Sequence, residues 1–359
     1  MLTELTDTRY DKFFYKSYKY LLGSASSALY VYLKYKKLTE QEILVPSNIC
    51  HSIPLTIVYS KNNPIFYDIE INTGNPNTQS ILNILKNQKI AAIILPNMYG
   101  NLYTDRKEII KVLKDKNILV IDDCAASLGA DMDDLKENGD AAIFSFGKNK
   151  HLDLGAGGLL ATNEVIDIKQ QTKNIKNTYE DSLYKIELFD KIYKPIFYSK
   201  FYYQLLPLID KTVDFFQDSY VFQFIWSVNL IEKLNNQLNL LEHTKNISLE
   251  KVEYLNNRIN FDNMLYTKYE FHYGSNPWRY NILINDLSTK EKIISESIMA
   301  NLQISKWYAP IEKLFGQPTF QNSVEFSDRI LNFNHMHSSY DDINKFIDIL
   351  NKLGGRIEK

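Results

Sequence analysis

The run Ile118-Leu119-Val120-Ile121-Asp122-Asp123 is apolar at every position until it ends in two carboxylates, and then turns through Cys124-Ala125-Ala126-Ser127-Leu128-Gly129-Ala130. A strand without polar alternation has both faces covered, as in a parallel sheet sandwiched between helices. Similar runs occupy Glu42–Pro46, 64–69, 90–96, 141–146 and Gly158–Thr162, with helical patterns between them. One helix is expected to start at Asp105, where Glu108 completes a capping box and Ile109, Ile110 and Leu113 form the inward stripe. Strand-helix alternation of this kind predicts an α/β fold with a mainly parallel central sheet flanked by helices. From residue 246 the character changes: a strand at Tyr280–Ile284, a helix from about Ser288, a strand at Ile330–Phe333 and a final helix from about Ser338 predict a smaller C-terminal α+β domain. The expected organisation is a helical N-terminal segment over 1–22, a large domain over 23–245 with a helical insertion near 182–229, and a small domain over 246–359.

Composition narrows the class. With 359 residues, 45% of them hydrophobic, and a net charge of −2, the chain can bury a large core and presents neither a disordered composition nor a basic field for nucleic acid. Cys50 and Cys124 both sit at strand ends, which predicts thiols packed in a reducing compartment and not a disulfide framework. The first residues lack a basic n-region followed by an apolar stretch, so a cytoplasmic location is expected.

The second chemical signal is Ser145-Phe146-Gly147-Lys148-Asn149-Lys150, followed by Gly155 and Gly157-Gly158. A lysine leaving an apolar strand into a confined site loses hydration, which favours its neutral, nucleophilic amine. Glycines there let backbone approach a planar ligand closely. An exposed Lys-Asn-Lys loop is the alternative. Asp122 and Asp123 sit where open α/β sheets bind ligands, at the carboxyl end of a strand. There a carboxylate can hold a protonated ring nitrogen, or it can merely solvate the strand end or cap a helix. Gly23-Ser24-Ala25-Ser26-Ser27 precedes an apolar helical run, which predicts an anion site at a helix N-terminus or ordinary N-capping.

In order and spacing, these segments resemble the DegT/DnrJ/EryC1/StrS family of pyridoxal-phosphate-dependent sugar aminotransferases, enzymes of fold type I. IDDCAASLGA resembles the family's aspartate motif and FSFGKNKHLDLGAGG its lysine motif. LPNMYGN, GSASSAL and the pair VPSNICHSI and PIFYDIE resemble the flanking segments. The resemblance implies that Lys150, favoured over Lys148 by its distance to Gly157-Gly158, joins pyridoxal phosphate covalently and then moves protons. It implies that Asp123 pairs with the cofactor's ring nitrogen and that His51, more than Cys50, stacks on the ring. Ser145, Ser26 and the backbone N–H of Ser27 would bind the phosphate. The implied substrates are a nucleotide-linked keto sugar and an amino-acid donor such as glutamate, and the implied assembly is a homodimer.

Departures from the family pattern are Ala126 after the aspartate, Ala156 between the glycines and Asn97 before Tyr99. The neighbouring subunit's Asn-x-Arg loop has no clear counterpart. They leave open a sugar dehydratase or deoxygenase, although members of that kind commonly lack the lysine, and a catalytically inactive scaffold of the same fold.

The insertion is dense in aromatics, among them Tyr184, Phe189, Tyr193, Tyr198, Phe201, Tyr202, Tyr203, Phe216, Tyr220, Phe222 and Trp226. Helical packing in a dimer interface is the favoured expectation and peripheral membrane contact the other. His335-Met336-His337 reads as loop or substrate residues more than as metal ligands. Arg279 is a candidate anion clamp or a plain surface arginine.

Overall fold

The computed structural model describes residues 4–131, 139–197, 213–262 and 264–354. Seven strands form the main sheet in the order β1-β7-β6-β5-β4-β2-β3, with β1 at Tyr18–Leu22, β2 at Glu42–Pro46, β3 at Asn63–Tyr67, β4 at Ala92–Pro96, β5 at Leu119–Asp123, β6 at Ala141–Ser145 and β7 at Gly158–Thr162. The five strands from β6 to β3 run parallel, while β7 is antiparallel to both β6 and β1.

The unbroken apolar runs are divided between two cores by the pleat. Ile43 and Val45 of β2, Ile94 of β4 and Ile121 of β5 face α1 (Ala25–Tyr35) and α2 (Ser52–Tyr59). Leu44, Ile93, Leu95 and Val120 face the other way, against α3 (Thr78–Asn87) and α4 (Arg106–Asp115). Successive side chains alternate between faces, so a strand covered on both sides is apolar throughout.

Two local expectations change. The N-terminal segment is helical only around Thr8–Tyr10 and Asp11–Phe14, and residues 18–22 add an antiparallel edge strand. Lys19, which masks the apolar pattern there, reaches Asp11 as an ion pair. Asp105 does not cap α4: its carboxylate instead accepts a hydrogen bond from Thr78 Oγ1 at 2.8 Å. A tertiary partner has displaced the local capping box.

After β7 come α5 (Tyr179–Phe197) and the 29-residue α6 (Val228–Asn256), whose first turn is capped by Ser227 accepting from the Leu230 N–H. The insertion is thus helical at α5. Tyr198, Phe201, Tyr202 and Tyr203 lie outside the described residues. The second sheet is antiparallel, in the order β10-β11-β9-β8, from β8 (Tyr266–Lys268), β9 (Tyr280–Ile284), β10 (Ile304–Ser305) and β11 (Ile330–Phe333). It packs on α7 (Leu287–Met299) and α8 (Tyr340–Gly354) through Ile282, Ile293, Phe333, Phe346 and Leu350.

A smaller core of Ile69, Met98, Tyr99, Tyr269, Trp278 and Phe326 joins the two sheets. No helix among the described residues is long and apolar enough to cross a membrane.

Candidate active site

The parallel strands deliver the predicted chemistry to one edge. His51 follows the end of β2, Asp123 is the last residue of β5, and Ser145 closes β6 five residues before Lys150. Ligands of open α/β sheets bind outside these carboxyl ends, where strand order reverses; here the reversal lies between β4 and β2.

The two carboxylates of β5 separate cleanly. Asp122 is buried in an ion pair with Arg106 and also accepts from Tyr15 Oη at 3.4 Å. Asp123 points to the other side of the strand, where one carboxylate oxygen accepts the Ala125 N–H at 2.9 Å.

Lys150 sits in a cavity of about 320 Å³ whose wall includes Cys50, His51, Phe189, Trp278 and Tyr308. The residue as a whole is half-buried. The amine lies 4.3 Å from the centre of the Trp278 ring and makes no hydrogen bond or ion pair among the described residues. Burial lowers its proton affinity, opposed by the nearby Cys50 and Asp123, of which the Cys50 thiol is itself pushed up by burial. Burial raises Asp123 in turn, opposed by the Ala125 N–H and by Lys150. Lys148, two residues earlier, is exposed. A larger groove of about 780 Å³, bordered by Lys12, Asp131 and Tyr273, does not contain Lys150, and Asp123 lines neither space.

His51 also lines the cavity, but it is held from behind. Its ring stacks on Phe189 of α5 at 4.3 Å between centroids, and Phe189 stacks on Tyr193 at 3.8 Å. His51 Nε2 meets Tyr220 Oη at 2.5 Å. Burial pushes the Tyr220 hydroxyl well up, so the phenol stays protonated beside the ring.

The serine corner is differently used. Ser24 caps α1 by accepting the Ser27 N–H at 2.9 Å and donates its hydroxyl to the Tyr220 carbonyl at 2.6 Å. Ser27 Oγ donates to the Phe222 carbonyl at 3.2 Å and accepts the Phe222 N–H at 3.1 Å. The groups of Ser27 assigned to phosphate by resemblance are therefore engaged by the cap and by the 220–222 segment. Ser26 is buried in the first turn of α1. Ser145 is half-buried, accepts weakly from the Gly147 N–H at 3.4 Å, and pairs with Gly158 across the sheet.

Gly157 and Gly158 serve the chain's own packing. A Cβ on Gly158 would lie 2.3 Å from the Ser24 carbonyl carbon, and one on Gly157 2.7 Å from the Trp226 indole. The planar group expected against Gly157 is therefore a tryptophan of this protein.

Sequence reasoning missed Trp278 and Tyr220 as site residues, and gave Trp307 no role although it lines the cavity. The aromatic density of 182–229 was the available signal for Tyr220. His335 is buried and shares a 2.7 Å hydrogen bond with Ser248, and no group of three or more metal-binding side chains occurs among the described residues. Arg279 is buried against Trp278, its guanidinium donating to the Trp278 backbone carbonyl and to Asn334 Oδ1, and is not a surface residue.

The donor set suits pyridoxal phosphate at its reactive end: a buried amine without a hydrogen-bonding partner, a buried carboxylate within electrostatic reach, and an imidazole in the same wall. For the phosphate, the fit draws on Ser26 and Ser145.

Residues 8–178 match the sequence model of the DegT/DnrJ/EryC1/StrS aminotransferase family. GDP-perosamine synthase of Escherichia coli O157:H7 is 31% identical over 125 residues, a match spanning 34% of each chain. The alignment thus reaches only about a third of that relative's length. Among solved structures, DesI in the presence of its TDP-sugar product superposes with a TM-score of 0.74 at 16% identity, covering 97% of this chain and 83% of that one. GDP-4-keto-6-deoxymannose-3-dehydratase (ColD) superposes with a TM-score of 0.68 at 17% identity, over 96% and 91%. These likenesses establish the fold, a mainly parallel seven-stranded sheet with a smaller antiparallel one.

Proposed function

Because residues 8–178 belong to the DegT/DnrJ/EryC1/StrS aminotransferase family, whose members use pyridoxal phosphate, we propose that this chain transfers an amino group from an amino acid, glutamate by preference, to a nucleotide-linked keto sugar. The working unit would be a homodimer serving aminosugar or polysaccharide synthesis. The observation that carries the proposal is the buried Lys150 amine, unbonded in its cavity and electrostatically coupled to Asp123.

Pyridoxal phosphate, when bound, supplies the electron sink for proton removal beside the transferred nitrogen. The chain's residues do the rest. Lys150 is the nucleophile that holds the cofactor, because burial favours its uncharged amine. The same Nζ would take the proton from the carbon that bears the transferred nitrogen as a general base, and give it back as an acid within the same half-reaction. Asp123 has one oxygen fixed by the Ala125 N–H, which leaves the other to hold a ring N–H⁺. His51, backed by Phe189 and tied to Tyr220, forms a fixed wall of the cavity. Trp307 and Tyr308 cover the cavity from the second domain and exclude water.

The test is spectroscopic. Wild-type protein mixed with pyridoxal phosphate should develop a band near ~420 nm that borohydride removes and Lys150→Ala lacks. Adding glutamate should move that band toward ~330 nm as the first half-reaction proceeds. Wild-type protein that forms no band would leave the inactive scaffold as the reading.

A further inference from the structure

Trp278 touches the lysine loop twice, and the two contacts are chemically independent. Its indole Nε1–H donates to the Asn149 carbonyl at 2.6 Å. Its ring face receives the Lys150 ammonium at 4.3 Å. Asn149 is in the left-handed region (φ 62°), inside a turn closed by the Lys150 N–H on the Gly147 carbonyl. Asparagine tolerates that conformation better than most residues, but the peptide that follows it still needs an external partner to fix its plane. The indole provides one, at the carbonyl directly preceding Lys150. Trp278 is in turn immobile. It is 1% exposed, its backbone N–H donates to the Tyr99 carbonyl at 2.8 Å, and its ring stacks on Trp307 at 5.6 Å.

We infer that Trp278 is the positioning residue for Lys150: its N–H pins the turn that aims the lysine, and its ring face holds the protonated amine in the cavity without a competing hydrogen bond. The inference rests on Lys150 being the reactive amine. A carboxylate partner would aim the amine as well, but it would hold the proton far more tightly and would have to be broken before reaction. An aromatic face attracts the ammonium only modestly and has no hold on the neutral amine.

The other charges around Lys150 are consistent with this division of labour. Asp123 draws the proton on, and Arg279, which lies over the same indole at 4.4 Å, drives it off; burial holds the Cys50 thiol up and so uncharged. His151, the next residue, is kept neutral by burial, its affinity pushed down to about 3. Lys148, Asp190 and Lys306 line the same cavity, with the hydroxyl of Tyr308 and the ring of His51.

The experiment uses the whole chain without added pyridoxal phosphate. Acetylation by a soluble N-hydroxysuccinimide ester is followed across pH at Lys150 by mass spectrometry, with exposed Lys148 as internal control. Trp278→Leu removes both contacts; Trp278→Phe keeps the ring and removes the N–H. Loss of the ring should lower the Lys150 midpoint by roughly one pH unit, leave Lys148 unchanged, and be largely reversed in the phenylalanine variant. The phenylalanine variant should nonetheless form the ~420 nm band several-fold more slowly than wild type, because the turn is no longer pinned. A leucine variant with an unchanged or raised midpoint overturns the inference, as does a phenylalanine variant that shifts as far as leucine. Trp278→Met replaces the leucine variant if circular dichroism shows that leucine prevents folding. Wild-type protein that shows the displaced midpoint but no ~420 nm band would sink the aminotransferase reading alone.

Discussion

Asp122 and Asp123 are neighbours on one strand and do unrelated work. The pleat turns them to opposite faces, so Asp122 meets Arg106 and Tyr15 while Asp123 shares electrostatics with Lys150. Which of the pair was available for chemistry could not be read from their adjacency, because Arg106 is distant in sequence and charged residues seldom lie buried. Glu312 shows the same dependence on context. It is fully buried, one oxygen accepts the Phe320 N–H at 3.1 Å, and the other has no partner among the described residues. Burial pushes its carboxyl up to about 7 from an ordinary 4.5. A raised folded-state value means that the stabilisation is fully present below the ordinary value and is lost as pH rises through the folded one. Relative to Glu312→Gln, wild-type protein should therefore lose up to about 3 kcal/mol of unfolding free energy between pH 5 and pH 8. Parallel urea titrations of the two proteins at both pH values check this, and a constant difference would refute it.

Among the elements, the start of α1 was the most ambiguous in the sequence and is the most informative in the fold. Small residues before an apolar run do mark a helix N-terminus, and Ser24 does cap it. Whether such a terminus binds an anion depends on what covers it, and the cover comes from residues 220–222, nearly two hundred positions away. That segment also contacts His51, so one stretch of chain touches both the serine corner and the cavity wall. Ser24→Ala removes the helix cap and the donor to the Tyr220 carbonyl together. It should destabilise the protein by about 1–2 kcal/mol and accelerate amide exchange at Phe222, measured by hydrogen-exchange mass spectrometry. The predicted capping box at Asp105 failed for a related reason: a threonine hydroxyl from α3 offered the aspartate a better partner than its own helix.

For the molecule as a whole, the cavity exists because two sheets are docked through the loop after β4. Tyr99 Oη donates to the Trp307 carbonyl at 2.6 Å, and Asn101 ties the 269–275 stretch with four hydrogen bonds, to Tyr269 Oη, the Glu270 carbonyl, the His272 N–H and Ser275 Oγ. Asn101 is fully buried, so its loss strands backbone groups that water cannot reach. Asn101→Ala should cost about 2–4 kcal/mol, and it should weaken pyridoxal phosphate binding although it lies outside the cavity wall. Denaturant unfolding and a cofactor titration test the two halves of that expectation.

The sequence alone determined the strand-helix alternation, the parallel sheet and the motif lysine and aspartate. These follow from apolar periodicity and local turn chemistry, which act over a few residues, together with a resemblance carried by contiguous motifs. Only the tertiary structure decided what faces those residues. It set the indole against Lys150, the aromatic column behind His51, the backbone over Ser24 and Ser27, and Trp226 against Gly157. Such contacts join positions far apart in the chain, and no local pattern encodes which apolar ring will be drawn out of water onto which partner.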